Sequence, residues 1–582
     1  MKIAKFLLCT AVLGMLLGCS STGERNRNIN FKPGTYEASA RGMYGPVTVS
    51  VTVTEKEIVS VTIKSHQDTG GLGDVAAEKL PPRIVGAQSL AVDVVSGATV
   101  TSSAILMAVE DALSQSGVDL PALRIAPAKD PLKKGRSENF DVVIVGAGLA
   151  GLNAAYDLKI NHPEISFVIL EQLDIIGGSL PMAGGAIIAT SSRYHKAEGV
   201  ECTLDDIVFL VENAIKQPSR RTLVRNVFGN SQELFDRYID WGLEFTTPYQ
   251  SRPANNPNVY AFRVKGWGAG FAQFFNRHIE ENPINLRLRS CVTDLIVTNG
   301  NVTGVKVQDS EKEYEIHAKA VLLATGGFGQ NQDLITQYAP LFKGGFSQTN
   351  AGASGAGFIM TMRFNTPVVG EGLMGGRLAA FTTYSAIPSN FIVSQEGRRF
   401  VDESNDDAVI SALDGGKVSG YKLADGTFAA DGRLVTNVHM APSIDHRDAG
   451  LKGYNTLEEL ARAHGINEAN LVNEVRTYNA AVDSGQSPGF GLPADKATKI
   501  ETPPYYAERL YTVWYGTVPG IKIDDTMHVL DGSDRTVPGL YAAGEVAEGN
   551  LWTVTYPGGG TGIGFAIFGG AFAARQIASD LK

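Results

Sequence analysis

The sequence predicts an α/β protein of several domains, and three observations lead to this prediction. The chain has 582 residues, which is room for three or four domains at roughly 100–200 residues each. Residues 142–145 form an apolar run that leads into a glycine-rich turn and then a helical pattern, the order of a nucleotide-binding βαβ unit. Upstream, residues 47–53 alternate apolar and polar side chains, as a half-buried strand does. A smaller α+β domain is therefore expected before the α/β domain.

Composition and charge argue against several classes of protein. The chain is 43% hydrophobic and 19% charged, which is ordinary for a globular protein. Its formal net charge is −10 and no stripe of basic residues is present, so a nucleic-acid partner is not expected. Beyond the N-terminal segment the cysteines are Cys202 and Cys291, too few for a disulfide framework and without the spacing of metal ligands. No metal site is predicted.

The N-terminus has the features of an export signal. Residues 6–17 are apolar and follow two lysines, and the stretch is too short to span a bilayer. It ends at Cys19, and this junction resembles a bacterial lipobox. The resemblance implies that residues 1–18 are removed and that Cys19 is lipidated. Residues 19–30 would then tether an exported protein to the extracytoplasmic side of the bacterial cell membrane. A plain cleaved signal with an incidental cysteine is the alternative.

A second motif follows in the predicted α+β domain. Residues 93–99, Asp-Val-Val-Ser-Gly-Ala-Thr, resemble the flavinylation sequence of the FMN-binding domain family, and the glycine-rich loop 66–73 also fits that family. The resemblance implies that a flavin transferase joins FMN covalently to Thr99 through a phosphodiester. The alternative is a serine- and glycine-containing turn in which Thr99 or Thr101 caps a helix.

Residues 31–118 are assigned to this FMN-binding domain. Residues 58–63 continue the strand pattern, and the apolar spacing of residues 103–113 suits a helix. Residues 119–138 carry prolines and lysines with little periodicity, and we interpret them as a linker to the next domain.

A dinucleotide fingerprint opens the larger domain. Gly146, Gly148 and Gly151 follow the apolar run, and the next predicted strand, residues 167–170, ends at Glu171. Glycines at these positions allow a tight turn and let backbone N–H groups reach a pyrophosphate at a helix N-terminus. An acid at the position of Glu171 accepts a hydrogen bond from a ribose hydroxyl. The fingerprint alone does not separate FAD from NAD.

Later glycine-rich segments favour FAD, and they lie at residues 177–179, 183–185, 321–328, 539–545 and 558–562. Together they resemble the fumarate reductase/succinate dehydrogenase flavoprotein family, from residue 139 to the end of the chain. The resemblance implies a split Rossmann-like FAD-binding domain, residues 139–365 and 515–582, with an inserted α+β capping domain at 366–514 that contacts the substrate. It also implies that FAD is bound non-covalently, with these residues in addition to the fingerprint: Gly178, Ser179, Gly184, Gly185, Gly327, Gly544, Glu545, Gly559, Gly560 and Ile563.

The resemblance also implies a reaction. Exported relatives with this architecture reduce fumarate, urocanate or acrylate-like acids, and a second flavin outside the membrane admits electrons from a respiratory donor such as a quinol dehydrogenase or a cytochrome. We therefore expect a reductase of an activated C=C bond in a small unsaturated acid or an enone. Two alternatives remain: a ketosteroid-type desaturase that passes electrons outward through FMN, and an electron shuttle that has no substrate of its own.

The sequence departs from the fumarate reductase pattern at two cationic positions. Asp407 stands where the family has its proton-donating arginine, and Thr555 stands where it has a substrate-binding arginine. Because a dianion needs cationic clamps, these departures argue against fumarate as the substrate. Tyr556 begins a segment that resembles the Tyr-Pro-Gly-x-Gly of ketosteroid dehydrogenases, in which the tyrosine hydroxyl and the last glycine N–H hold a ketone oxygen.

The candidate catalytic residues follow from these positions. Asp407 is the candidate proton donor, Tyr384 its relay, and Tyr556 the contact to the substrate carbonyl. Asp407 could instead be a solvated acid at a helix start, and Tyr556 a packing aromatic under the flavin. Arg399 has the alternative of a salt bridge inside the capping domain. The candidate substrate contacts are Gly560, Arg399 and Tyr515.

Overall fold

The computed structural model describes residues 29–42, 45–68, 73–95, 98–124, 131–215, 220–251, 258–370, 372, 374–375, 378–379, 391–413, 417–424, 426, 452–552 and 556–582. Cys19 and Tyr384 lie outside these residues, as do the side chains of Thr99 and Asp407. The roles expected for these four residues therefore stay predictions.

The N-terminal domain is an antiparallel sheet with helices packed on it. Pro46–Val53 lies between Gly34–Arg41 and Ile58–Ser65, and the helices Gly73–Ala87 and Thr99–Ser114 contact this sheet. A short helix, Leu120–Leu123, ends the domain. Alternate residues of the middle strand are buried in one core with the helices, as the period of two predicts: Val47, Val49, Val51 and Val53.

The helix Gly73–Ala87 is not predicted by the sequence pattern. Pro81 and Pro82 stand inside it, and proline lacks the N–H group that a helix interior uses. Pro81 is nevertheless buried together with Leu80 and Ile84. Packing of this apolar face on the sheet therefore outweighs the poor helix propensity of the two prolines.

The large sheet of the second domain combines parallel and antiparallel strands around Lys312–Leu323. The first half of this strand pairs antiparallel with Asn301–Gln308, and its second half runs parallel to Glu138–Val145 and Thr536–Ala542. The sheet also contains Lys133–Lys134, Phe167–Leu170, Leu286–Arg287, Cys291–Thr298 and His528–Leu530.

The parallel strands end at one edge of this sheet, which is where ligands bind in such folds. The helix Leu149–Asn161 begins there, directly after the fingerprint turn. The C-terminal helix Thr561–Asp580 packs against it. The two helices approach so closely that a Cβ at Gly570 would overlap the backbone of Ala150.

The remaining elements of the large domain surround the sheet. A small antiparallel sheet consists of Ala186–Ile188, Tyr260–Arg263 and Tyr249–Gln250. In the described part of the chain, no helix is long and apolar enough to cross a membrane. The other α-helices are Arg193–Ala197, Leu204–Ile215, Arg221–Phe228, Ser231–Asp240, Trp267–Glu281, Gln332–Tyr338 and Ala356–Thr361, and the 3-10 helices are Leu180–Met182, Pro340–Phe342, Met362–Phe364 and Glu545–Asn550.

The inserted part of the chain has hydrophobic cores of its own, built from residues between 391 and 510. Its antiparallel sheet consists of Ile392–Ser394, Gly420–Ala424 and Tyr506–Arg509. Its helices are Asp406–Leu413, Leu457–His464 and Glu468–Asp483, with a 3-10 helix at Ala494–Lys496.

Two segments of the chain connect the inserted part to the large domain, and they pair with each other in short antiparallel stretches. They bring Thr517 beside the 3-10 helix Glu545–Asn550. The strand pairs are Val368–Val369 with Gly520–Ile521, Met374–Gly375 with Gly516–Thr517, and Leu378–Ala379 with Thr512–Trp514, which Phe346–Ser347 joins in parallel.

Candidate active site

The three glycines of the fingerprint have two different roles: two of them allow close backbone packing, and one leaves open space. Gly146 has a φ of 107°, and a Cβ there would overlap the Ala324 carbonyl oxygen, while a Cβ at Gly151 would overlap the Gly146 carbonyl oxygen. No atom lies within 4 Å of the Cβ position at Gly148. Gly146 and Gly151 thus let strand and helix meet, and Gly148 leaves room for a phosphate at the start of the helix Leu149–Asn161.

Glu171 lies over this turn. Its carboxylate accepts 2.8 Å hydrogen bonds from the backbone N–H groups of Ala147 and Leu173. Burial raises the pKa of Glu171, and these hydrogen bonds offset part of the rise. The contacts hold the carboxylate at the end of its strand, where this fold places the ribose of a bound dinucleotide.

Gly178 and Ser179 stand beside the fingerprint turn. Gly178 has a φ of 57°, and its Cβ position is 3.5 Å from the Gly148 Cα. The Ser179 hydroxyl accepts a 2.9 Å hydrogen bond from the side-chain amide of Asn350, which lies 171 residues away in sequence. Sequence reasoning missed Asn350, because nothing in its local pattern shows that it fixes this loop.

Gly184 and Gly185 lie near a cation–π cluster formed by one arginine and two aromatic side chains. A Cβ at Gly185 would lie 2.5 Å from the Trp267 carbonyl carbon, whereas no atom lies within 4 Å of the Gly184 Cβ position. The guanidinium of Arg263 lies over the rings of Tyr249 and Trp267, at 5.2 and 4.3 Å from their centroids. Within the described residues this guanidinium has no carboxylate partner, and its Nε is buried without an acceptor.

Glu545 joins Thr517 to two segments that the sequence placed in the cofactor site separately. Its carboxylate accepts hydrogen bonds from the backbone N–H and the hydroxyl of Thr517, at 2.7 and 3.1 Å. A Cβ at Gly327 would overlap this carboxylate, and Gly544, with a φ of 79°, packs on Ala150. Burial raises the pKa of Glu545, and the contacts from Thr517 oppose the rise.

The last glycine run packs closely on the small antiparallel sheet. A Cβ at Gly560, whose φ is 91°, would lie 2.9 Å from the Ile188 nitrogen, and a Cβ at Gly559 would lie 2.9 Å from the Tyr249 hydroxyl. Glycine is therefore required at Gly560, whereas a side chain at Gly559 would displace the Tyr249 hydroxyl. Ile563 follows in the first turn of the C-terminal helix and is half-buried.

Tyr556 stands at the start of the C-terminal helix. Its hydroxyl accepts a 2.9 Å hydrogen bond from the Gly562 N–H, and its ring meets Trp552 edge-on at 5.6 Å. Burial raises the pKa of Tyr556 to about 12, and the nearby Glu548 carboxylate adds to the rise. The hydroxyl is therefore neutral at pH 7 and available to a carbonyl oxygen.

Glu548 is a functional candidate that sequence reasoning missed. It lies in the 3-10 helix Glu545–Asn550 and is 8% exposed. A Cβ at Gly562 would lie 2.7 Å from its Oε1 atom and 3.2 Å from the Tyr556 hydroxyl. A second acid three residues after Glu545 was the signal that could have marked it.

The other predicted site residues have different surroundings. Arg399 is 4% exposed and forms a bidentate ion pair with Glu403, while its guanidinium lies 5.0 Å from the Tyr478 ring centroid. These contacts hold Arg399 within the inserted part of the chain, in agreement with the salt-bridge alternative.

Tyr515 is half-buried and precedes the strand Gly516–Thr517, which contains the Glu545 partner Thr517. Asp407 is the second residue of its helix.

The segment with the flavinylation motif lies against the large domain. Thr99 is the first residue of its helix. The Arg83 guanidinium donates hydrogen bonds to the carbonyl oxygens of Asp93 and Val94, at 3.0 and 3.2 Å, and to Asp174 Oδ1 at 2.7 Å. Asp174 belongs to the loop after Glu171, so one arginine touches both the motif and the fingerprint region.

The structure also fits the two implied flavins. In the N-terminal domain, the Thr101 hydroxyl donates a 2.7 Å hydrogen bond to Asp68, whereas Nδ1 of His66 is buried with no partner among the described residues. An orphaned buried nitrogen fits a site that a bound group completes. In the large domain, the open faces at Gly148 and Gly184 fit a dinucleotide.

The chain belongs to the FAD-binding domain family, whose model matches residues 141–563. Residues 42–114 match the FMN-binding domain family. The predicted α/β class and the predicted union of an FMN-binding and an FAD-binding domain are thereby confirmed.

Individual relatives are reductases of unsaturated compounds. The chain aligns with NADH:acrylate oxidoreductase of Vibrio harveyi at 29% identity, in an alignment of length 610. This alignment covers 90% of this chain and 59% of that protein. The chain is 27% identical over 571 residues to urocanate reductase of Eggerthella lenta, with 92% of each chain covered. The open conformation of a flavocytochrome c3 fumarate reductase has a TM-score of 0.64 at 26% identity, covering 76% of this chain and 79% of that chain.

Proposed function

We propose that this protein is an exported flavoprotein reductase that passes electrons from a respiratory donor through FMN and FAD to an activated C=C bond. The observation that carries the proposal is the packing of the Tyr556 hydroxyl, the glycine run and the Tyr249–Arg263 stack around the start of the C-terminal helix. A hydrogen-bond donor and a cation thus lie beside the loops that fit FAD. The names of the acrylate and urocanate relatives support a small unsaturated acid or an enone as substrate.

The residues of the site suit the protein's share of such a reaction. Bound FAD would supply hydride transfer to carbon. The chain has to hold the substrate carbonyl, provide a proton and keep water out. The Tyr556 hydroxyl accepts from the Gly562 N–H and keeps its own proton for a carbonyl oxygen.

A monoanionic or neutral substrate fits this site better than fumarate does. Asp407 and Thr555 replace the cations of the fumarate pattern, and Arg399 is paired with Glu403. Arg263 is a cation near the glycine run without a carboxylate partner in the described part of the chain. One guanidinium matches one carboxylate, so Arg263 is the proposed carboxylate contact of a 2-enoate.

FMN joined to Thr99 by a flavin transferase is the proposed electron inlet. Its support is the position of Thr99 at the start of a helix directly after the motif and the contact of Arg83 with both that motif and Asp174. A quinol dehydrogenase or a cytochrome would deliver electrons there.

A lipid anchor at Cys19 is the proposed link to the membrane. A single acyl chain gives weak, reversible binding, whereas the several chains of a mature lipoprotein hold a protein firmly. The anchor would keep the protein on the extracytoplasmic side of the bacterial cell membrane, close to respiratory donors.

Steady-state assays in both directions test the proposed reaction. Fully flavinylated protein should reduce a 2-enoate or an enone with reduced viologen as donor. It should oxidise the corresponding saturated compound with a dye acceptor more slowly. Faster oxidation than reduction would overturn the proposal and favour a ketosteroid-type desaturase.

A further inference from the structure

Glu548 has a carboxyl group that the fold buries without a partner among the described residues. The residue is 8% exposed, and no hydrogen-bond donor or cationic side chain within the described ranges contacts its carboxyl group. Burial raises the pKa of Glu548 well above its ordinary value, and the neighbouring Glu545 raises it further. Because a buried charge without a partner is costly, burial favours the protonated form of Glu548.

Glu548 faces Tyr556 across Gly562. The position of a Cβ at residue 562 is 2.7 Å from Glu548 Oε1 and 3.2 Å from the Tyr556 hydroxyl. Glycine at this position keeps the space between the two groups open. One bridging water, or a rotation of the carboxyl group, would connect them.

We propose that Glu548 is the acid that supplies the proton for C=C reduction and that it acts through the Tyr556 hydroxyl. This inference rests on the proposed function, in which the substrate gains a hydride at one carbon. The carbonyl oxygen takes the Tyr556 proton as the tyrosine O–H bond breaks, and the enol that forms tautomerises to the saturated carbonyl compound. Glu548 returns a proton to the tyrosine, and its carboxylate takes one from solvent.

Glu548 lies beside the tyrosine and the glycine run. Asp407 is the second residue of a helix in the inserted part of the chain, and its side chain lies outside the described residues. The relay also needs no cationic side chain at the position of Asp407, where the fumarate pattern has an arginine.

Two matched variants test the proposal in the flavinylated holoenzyme. Glu548→Gln should lower kcat by roughly 10²–10⁴-fold, the usual range for losing a general acid, with KM and FAD content near wild type. Glu548→Asp should recover part of the rate. If Glu548→Gln turns over like wild type, this inference falls while the proposed function stands. If the wild type reduces no enoate or enone, the proposed function itself falls, and this inference falls with it.

A measurement without turnover tests the protonation state. At pH 7 the infrared spectrum of the holoenzyme should contain a protonated-carboxyl band that Glu548→Gln removes. Its persistence in that variant would overturn the assignment. Glu548→Asp, with a carboxyl group in the same place, should keep a band.

The pH dependence of stability gives a second readout. The titratable groups that face Glu548 are Glu545 and Tyr556, and Arg220 reaches the same short helix at Asn550. A folded pKa above the unfolded value means that wild type and Glu548→Gln differ least below about pH 4. Wild type should lose stability relative to the variant as the pH rises through the folded pKa. A difference that is independent of pH would contradict the buried, protonated acid.

Discussion

Arg83 and Asp174 join the N-terminal domain to the large domain through a 2.7 Å ion pair. The pair is shielded from water, since the two side chains are 17% and 6% exposed. Arg83 also holds the carbonyl oxygens of Asp93 and Val94. One guanidinium therefore ties the segment expected to carry FMN to the loop that follows Glu171.

Replacing Asp174 with asparagine should loosen this contact and slow electron transfer between the flavins. A shielded hydrogen bond between charged groups contributes about 2 kcal/mol, roughly 30-fold in a docking equilibrium. Stopped-flow reduction should show FMN reduced at the wild-type rate and FAD reduced more slowly. Lys265→Ala, which removes an exposed ion pair with Glu244, should leave both rates unchanged. Equal FAD reduction in Asp174→Asn and wild type would show that the pair does not align the domains.

Thr99→Ala should abolish covalent FMN and leave FAD in place. The reason is chemical, because alanine has no hydroxyl to form a phosphodiester. Intact-mass analysis of protein co-expressed with a flavin transferase should show one FMN adduct in wild type and none in the variant. Thr101→Ala loses only the hydrogen bond to Asp68 and should keep the adduct. An adduct that survives in Thr99→Ala would place the attachment elsewhere.

Arg263→Gln should weaken the binding of carboxylate substrates more than that of enones. Losing a charge-assisted hydrogen bond costs about 1.5–3 kcal/mol, so KM for an enoate should rise roughly 10- to 100-fold. The KM for a neutral enone should change little. Steady-state kinetics with an enoate and an enone of similar shape would check this difference, and an equal rise for both would indicate a structural role for Arg263.

Cys19→Ser should release the protein from the membrane. Without a thioether the acyl chains cannot be attached, and residues 20–28 include no large apolar side chain. Fractionation should move the variant to the soluble extracytoplasmic fraction while flavin content stays constant. Equal membrane association of variant and wild type would contradict the lipid anchor.

Patterns within a short stretch of chain predicted part of the site. Gly146 and Glu171 belong to one βαβ unit, so their spacing already relates them, and the structure puts the carboxylate of Glu171 on the turn. The alternation of residues 47–53 likewise predicted which face of Pro46–Val53 is buried, because side chains along a strand point to opposite faces with a period of two.

Contacts between distant segments could not be predicted in this way. Thr517 meets Glu545 across 28 residues, and Arg263 reaches its two aromatic neighbours only through the small sheet and the following helix. The burial of Glu548 depends on packing beside Gly562. A single sequence shows the residue types of such clusters but not which of them the fold brings together.

Anaerobic reoxidation of the reduced, fully flavinylated protein is the most direct test of C=C reduction. The flavin absorbance would be followed after adding 2-enoates, enones and their saturated analogues one at a time. We predict that at least one unsaturated compound reoxidises both flavins and that its saturated analogue does not. If no member of the panel reoxidises flavins that still respond to a dye, the protein is not a C=C reductase for these compounds, and the electron-shuttle alternative is favoured.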